Sequence, residues 1–202
     1  MTHYRAARLW DASTRPDSRA ARAGLLAGAV ACAAALTAVT AQVSITVPGS
    51  PIPFTLQPVA VLLAGVVLGA RLGALSQVLY LAAGVAGASA FAWSPVLLPG
   101  AARLLGPTGG FLLAFPVAAA VAGLLRDRGV ARATLRTAMA MAAGLAALYA
   151  GGIAWASLVM PAASGAGLVA TFAPYVAADL VKIALAAPVV TAVRRVLAGR
   201  QA

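Results

Sequence analysis

The chain has 202 residues, 62% of them hydrophobic and 9% charged, against roughly 45–50% and 25% in soluble globular domains. That balance excludes an ordinary water-soluble fold and points to an integral membrane protein. A net charge of +11 would in a soluble chain raise nucleic acid as a partner, so the positions of the cations decide that question. The single cysteine, Cys32, excludes a disulfide framework. The single histidine, His3, leaves no cluster for a metal or haem and no base for serine–histidine chemistry inside a membrane. No metal and no cofactor is expected.

A helix crossing a hydrocarbon core of about 30 Å needs about 20 largely apolar residues. The apolar runs predict an all-α bundle of six transmembrane helices at about 23–42, 58–70, 72–92, 107–125, 137–158 and 171–193. This membrane domain covers 23–195, between a basic tail over 1–22 and a short tail over 196–202. Val39-Thr40-Ala41 resembles a signal-peptide cleavage site. The apolar run before it exceeds the 7–15 residues of a signal segment and further spans follow, so a cytoplasmic tail and a first span are expected instead.

Within the first span, Ala27, Ala31 and Ala35 recur at four-residue spacing, and Gly65, Gly69 and Gly73 do so across the second turn. Such spacing makes a flat face that another backbone can approach closely, in a partner or inside the bundle. The segment 44–58 carries four prolines and cannot be helix, yet it is apolar. Backbone of that kind near a membrane is buried in protein or lines a cavity, so it reads as an external lid. Pro58 suits the first position of the second helix and places Gln57 at its cap, its amide available to a ligand or to backbone. Tyr80, near the middle of the third span, needs a hydrogen-bond partner when buried.

Arg103 lies in an external loop, where a fixed cation suits a carboxylate and a solvated arginine is the plain alternative. Gly106-Pro107-Thr108-Gly109-Gly110 opens the fourth span. Without the lysine of a phosphate loop it reads as a place where backbone approaches a ligand or a neighbouring helix. Trp93, Trp155 and Tyr175 fall near span ends and are expected to anchor at the membrane interface. In the sixth span, Asp179 and Lys182 lie about 12 Å and 16 Å from its start at 1.5 Å per residue. Each costs roughly 2.5–3.5 kcal/mol when it faces lipid, so both should face the bundle interior or a wet cavity. Spaced i and i+3, they can meet as a structural pair, or offer a carboxylate and an ammonium to a ligand with N–H groups and an anionic end. Pro188 removes a backbone bond further along and predicts a kink.

With both termini cytoplasmic, 13 of the 15 basic residues fall on the inner side, as the positive-inside rule requires. The charge is thus a topology signal rather than a nucleic-acid footprint. Arg103 and Lys182 are the two exceptions.

The order of Pro51-Ile52-Pro53-Phe54-Thr55-Leu56-Gln57, Leu68-Gly69-Ala70-Arg71-Leu72-Gly73-Ala74-Leu75 leading to Tyr80, Gly106-Pro107-Thr108-Gly109-Gly110-Phe111 with Phe115-Pro116, and Asp179-Leu180-Val181-Lys182 resembles the BioY family, over about residues 25–195. These are biotin-binding S components of energy-coupling factor (ECF) transporters. The resemblance implies a biotin pocket near the outer side of a bacterial plasma membrane and a complex with one transmembrane T component and two cytoplasmic ATPases. The chain itself would not be an enzyme. The implied pocket is the lid through Gln57, then Tyr80, Arg103, Thr108 in the glycine-rich opening, and the pair Asp179 and Lys182. Asp179 would accept from the ureido N–H groups, and Lys182 or Arg103 would bind the valerate carboxylate. Ala27, Ala31 and Ala35 would dock the T component. The chain departs from the family pattern at Gly87-Ala88-Ser89-Ala90-Phe91-Ala92, where G-x-P-V-F-A is usual, and at Phe111, where tyrosine is usual. An S component for another vitamin and a ligand-free membrane scaffold are the competing readings.

Overall fold

A computed structural model describes residues 19–45, 52–94, 97–126, 133–160 and 165–199. Most of the expected basic tail and residues 46–51 of the expected lid lie outside these segments. Six α-helices follow one another: α1 (Arg19–Gln42), α2 (Gln57–Leu68), α3 (Ala70–Val85), α4 (Gly109–Leu124), α5 (Ala133–Val159) and α6 (Gly165–Gly199). A 3₁₀ helix, Gly100–Leu105, precedes α4. Two strands of two residues, β1 (Ser44–Ile45) and β2 (Phe54–Thr55), pair antiparallel with Ser44 opposite Thr55. The apolar helices α1, α5 and α6 are long enough to cross a membrane outright. The 12 residues of α2 rise only about 18 Å, so α2 and α3 behave as two arms of a broken element.

The break is at Gly69, whose φ of 89° is a left-handed conformation that favours glycine. Its neighbours in the four-residue pattern serve internal packing. A Cβ at Gly65 would stand 2.2 Å from the Ala119 carbonyl oxygen of α4, and one at Gly73 would stand 2.8 Å from Gly65 Cα. Helices α2, α3 and α4 therefore cross at backbone contact. The alanine pattern behaves differently: Ala27, Ala31 and Ala35 are exposed, while α1 packs inward through Val30, Ala34, Thr37 and Ala41. Ala31 and Ala35 line a shallow groove between α1 and α3.

Helix α3 stops at Val85, short of the expected 92. Gly87, with a φ of 96°, turns the chain back so that Phe91 covers Gly84 and packs edge-on against Tyr80 at 5.6 Å. Burying that aromatic outweighs extending an apolar helix. Helix α6 continues through both Pro174 and Pro188. Arg126, at the end of α4, donates to the Val67 carbonyl at 2.9 Å. This puts the α2–α3 break and its Arg71 at one end of the bundle, and β2, the 3₁₀ helix and the start of α4 at the other.

Candidate functional site

At that second end, β2, the 3₁₀ helix and helices α2, α4, α5 and α6 surround a cavity of about 80 Å³, several times what one buried water requires. Its walls are mainly aromatic and aliphatic, including Phe54, Phe91, Phe111, Leu112, Phe115, Leu148 and Phe172. Five of the six residues expected to contact a ligand line it: Gln57, Arg103, Thr108, Asp179 and Lys182.

Asp179 and Lys182 meet as their spacing allows, with Lys182 Nζ donating to Asp179 Oδ1 at 2.7 Å. The other carboxylate oxygen, Oδ2, accepts from the Tyr149 hydroxyl at 2.8 Å. The ammonium also donates to the Thr55 carbonyl at 2.7 Å and stands 3.7 Å from the Phe54 ring centroid. Two hydrogen bonds and a cation–π contact employ the three donors of a lysine. A carboxylate with two oxygens has about four lone-pair positions, so Asp179 retains acceptor capacity toward the cavity.

Arg103 is not a solvated loop residue. It is buried, and its Nη2 donates to the Ala92 carbonyl, an acceptor supplied by the chain reversal after α3. Its Nε is buried with no hydrogen-bond partner, as is Thr108 Oγ1. Burial pushes the guanidinium pKa down from its ordinary value, with the nearby Tyr80 acting in the opposite sense. Arginine nevertheless stays charged in proteins. A buried cation with an idle donor marks an incomplete polar site.

Tyr80 stands behind the cavity rather than on its wall. Its hydroxyl accepts from Gln57 Nε2 at 2.6 Å, while its ring lies between Phe91 and Phe115. Gln57 is the first residue of α2 rather than its cap, which is Leu56. Its backbone N–H donates to Thr55 Oγ1 at 3.3 Å.

Two of the three expected interfacial anchors turn inward. Tyr175 is buried on the cavity wall, and its hydroxyl donates to the Ile52 carbonyl at 2.8 Å. Trp155 Nε1 donates to the Gly106 carbonyl at 3.0 Å, and a Cβ on Gly110 would clash with Trp155 at 2.1 Å. The glycines of this opening thus admit helix α5. Trp93 alone stays outward, at 66% exposure. Tyr149 was not expected at the site. Its one available signal was a tyrosine in the middle of an apolar span, the same signal that singled out Tyr80.

The family model described as BioY family matches residues 17–199. The chain belongs to the BioY family. A relative in Thermotoga maritima, named a biotin transporter BioY, is 35% identical over 143 residues, covering 71% of this chain and 81% of that one. Relatives named probable biotin transporters BioY are 46% identical in Pyrococcus horikoshii and 43% in Lysinibacillus sphaericus, each over 99 residues and 49% of this chain. These two matches take in 58% and 47% of the relatives' own lengths, so the chain spans about half of each. A crystal structure of the S component for biotin from an ECF-type ABC transporter superposes with a TM-score of 0.73 at 19% identity, over 89% of this chain and 95% of that one. The fold is that of a multi-pass membrane protein of this kind.

Proposed function

We propose that the chain captures biotin from the outer side of the membrane as the S component of an ECF transporter. It binds without catalysing a reaction, and a transmembrane T component with two cytoplasmic ATPases supplies the energy of transport. The observation that carries this reading is an apolar cavity lined both by the Asp179–Lys182–Tyr149 cluster and by Arg103 and Thr108. Biotin has a cyclic urea with two N–H donors, an apolar middle and a carboxylate. Asp179 keeps lone pairs for the urea N–H groups after binding Lys182 and Tyr149. Phe111, Leu112, Phe115 and Phe172 pack the apolar middle. The idle donors Arg103 Nε and Thr108 Oγ1 take the carboxylate. Lys182 already spends its donors on protein atoms, which favours Arg103 over Lys182 for that role. Gln57 contributes its amide, held in place by Tyr80. The names of the relatives and of the fold neighbour agree with biotin as the ligand. The exposed Ala27, Ala31 and Ala35 supply a smooth helix face on which a T component can pack.

Calorimetry on the detergent-purified chain tests the reading. Biotin should bind and raise the melting temperature progressively, with the logarithm of its concentration once it exceeds the dissociation constant, while thiamine and riboflavin should not compete. Competition by either of these would assign a different vitamin, and the absence of any ligand-dependent shift would leave a scaffold. Undiminished biotin binding by both Arg103→Ala and Asp179→Ala would sink the site assignment.

A further inference from the structure

We infer that Tyr175 is a positioning residue for ligand retention, whose hydroxyl, together with Lys182, holds the extended segment 52–55 along α6 as one wall of the cavity. Two donors on one helix meet two carbonyls on one strap: Tyr175 Oη to Ile52 at 2.8 Å, and Lys182 Nζ to Thr55 at 2.7 Å. The spacings agree. Seven residues of helix rise about 10.5 Å, and three extended residues reach at most about 10–11 Å. The two ties therefore lead the strap along α6 in the same chain direction. Tyr175, Asp179 and Lys182 share one helix face at i, i+4 and i+7.

Packing adds to the two bonds. The Phe54 ring lies between the ties, 6.0 Å from the Tyr175 ring and under the Lys182 ammonium at 3.7 Å. Among the described residues β1 and β2 pair over two residues each, far short of an independently stable hairpin. Pro53 contributes no N–H to any ladder. Phenylalanine would serve the packing at position 175 equally well. The hydroxyl is what the strap uses.

The inference rests on the biotin reading only for its kinetic arm. Tyr175→Phe keeps the ring and removes one hydrogen bond, so biotin should dissociate about fivefold faster, with a smaller change in association. The second arm needs no ligand. With Cys32→Ser as background and Pro53→Cys as a reporter on the strap, Tyr175→Phe should raise the rate of maleimide labelling about fivefold, and Lys182→Met should raise it as well. Labelling unchanged in both variants would overturn the proposal, as would a Tyr175→Phe chain that no longer melts cooperatively, since the hydroxyl would then belong to core stability. If the wild type fails to bind biotin, the functional proposal falls while the labelling comparison still decides the role of Tyr175.

Discussion

At the α5–α6 end of the cavity the charged groups are matched to protein partners: both oxygens of Asp179 and the ammonium of Lys182 are engaged. At the α4 end Arg103 holds the Ala92 carbonyl with one nitrogen, while its Nε and the Thr108 hydroxyl are buried without partners. The two ends bear opposite energetic burdens. The internally paired cluster fixes the position of an acceptor that still has free lone pairs and ties down the strap. An unsatisfied donor lowers the stability of the free protein by about 1–3 kcal/mol and returns that energy when a ligand acceptor arrives. In the proposed binding mode, the first cluster positions its acceptor through protein partners and the second offers donors that the protein leaves unused.

Breaking the paired cluster should have the larger effect. Asp179→Ala strands the Lys182 ammonium and the Tyr149 hydroxyl, so unfolding should become about 3–5 kcal/mol easier and biotin binding should vanish. Denaturant or thermal unfolding in detergent, beside calorimetry, checks both. Replacing the whole pair by Asp179→Leu with Lys182→Met should recover most of the stability without recovering binding. A double variant as unstable as the single one would mean that the pair is not self-compensating.

Arg103→Ala should weaken biotin by about 2–5 kcal/mol, the range for truncating one partner of a buried charge pair. It should change the stability of the ligand-free protein by only about 1 kcal/mol, because removing the unsatisfied Nε donor offsets the Ala92 carbonyl that loses its partner. A large loss of apo stability would show that Arg103 is structural, and the contrast between the two ends would fail. Tyr80→Phe leaves the ring between Phe91 and Phe115 and strands only the Gln57 amide, for about 1–2 kcal/mol. That loss should appear as a lower melting midpoint with biotin affinity reduced by no more than about tenfold. The smallest effect on binding is expected from Ala31→Leu, which adds bulk to the exposed face of α1, a helix that does not line the cavity. Affinity should be unchanged, while uptake in cells carrying the T component and ATPases should fall.

The residues that stood out in the sequence were those too expensive to place in a membrane without cause. Asp179, Lys182 and Gln57 were visible because an ionisable group or an amide in apolar surroundings needs a partner, and i, i+3 spacing predicted the ion pair that forms. Arg103 was visible as a cation on the unexpected side. Residues whose role comes from orientation were not. Tyr175 and Trp155 have the composition of interfacial anchors, and only packing turns them inward, toward the Ile52 carbonyl and the Gly106 carbonyl. The early end of α3 at Val85 has a similar cause. An apolar stretch is compatible with more helix, and the turn at Gly87 is favoured only because Phe91 then finds Gly84 and Tyr80.

The sequence by itself determined a helical membrane bundle, the family, and the short set of polar side chains that cannot face lipid, because hydrocarbon thickness and desolvation act on residue type and spacing alone. Tertiary structure alone decided which small-residue pattern is internal and which is exposed, and which cation is already occupied. It also decided that Tyr80 supports Gln57 while Tyr175 and Tyr149 reach the site. Those outcomes depend on the direction in which each side chain points after the helices have packed, a property that periodicity along one helix does not contain.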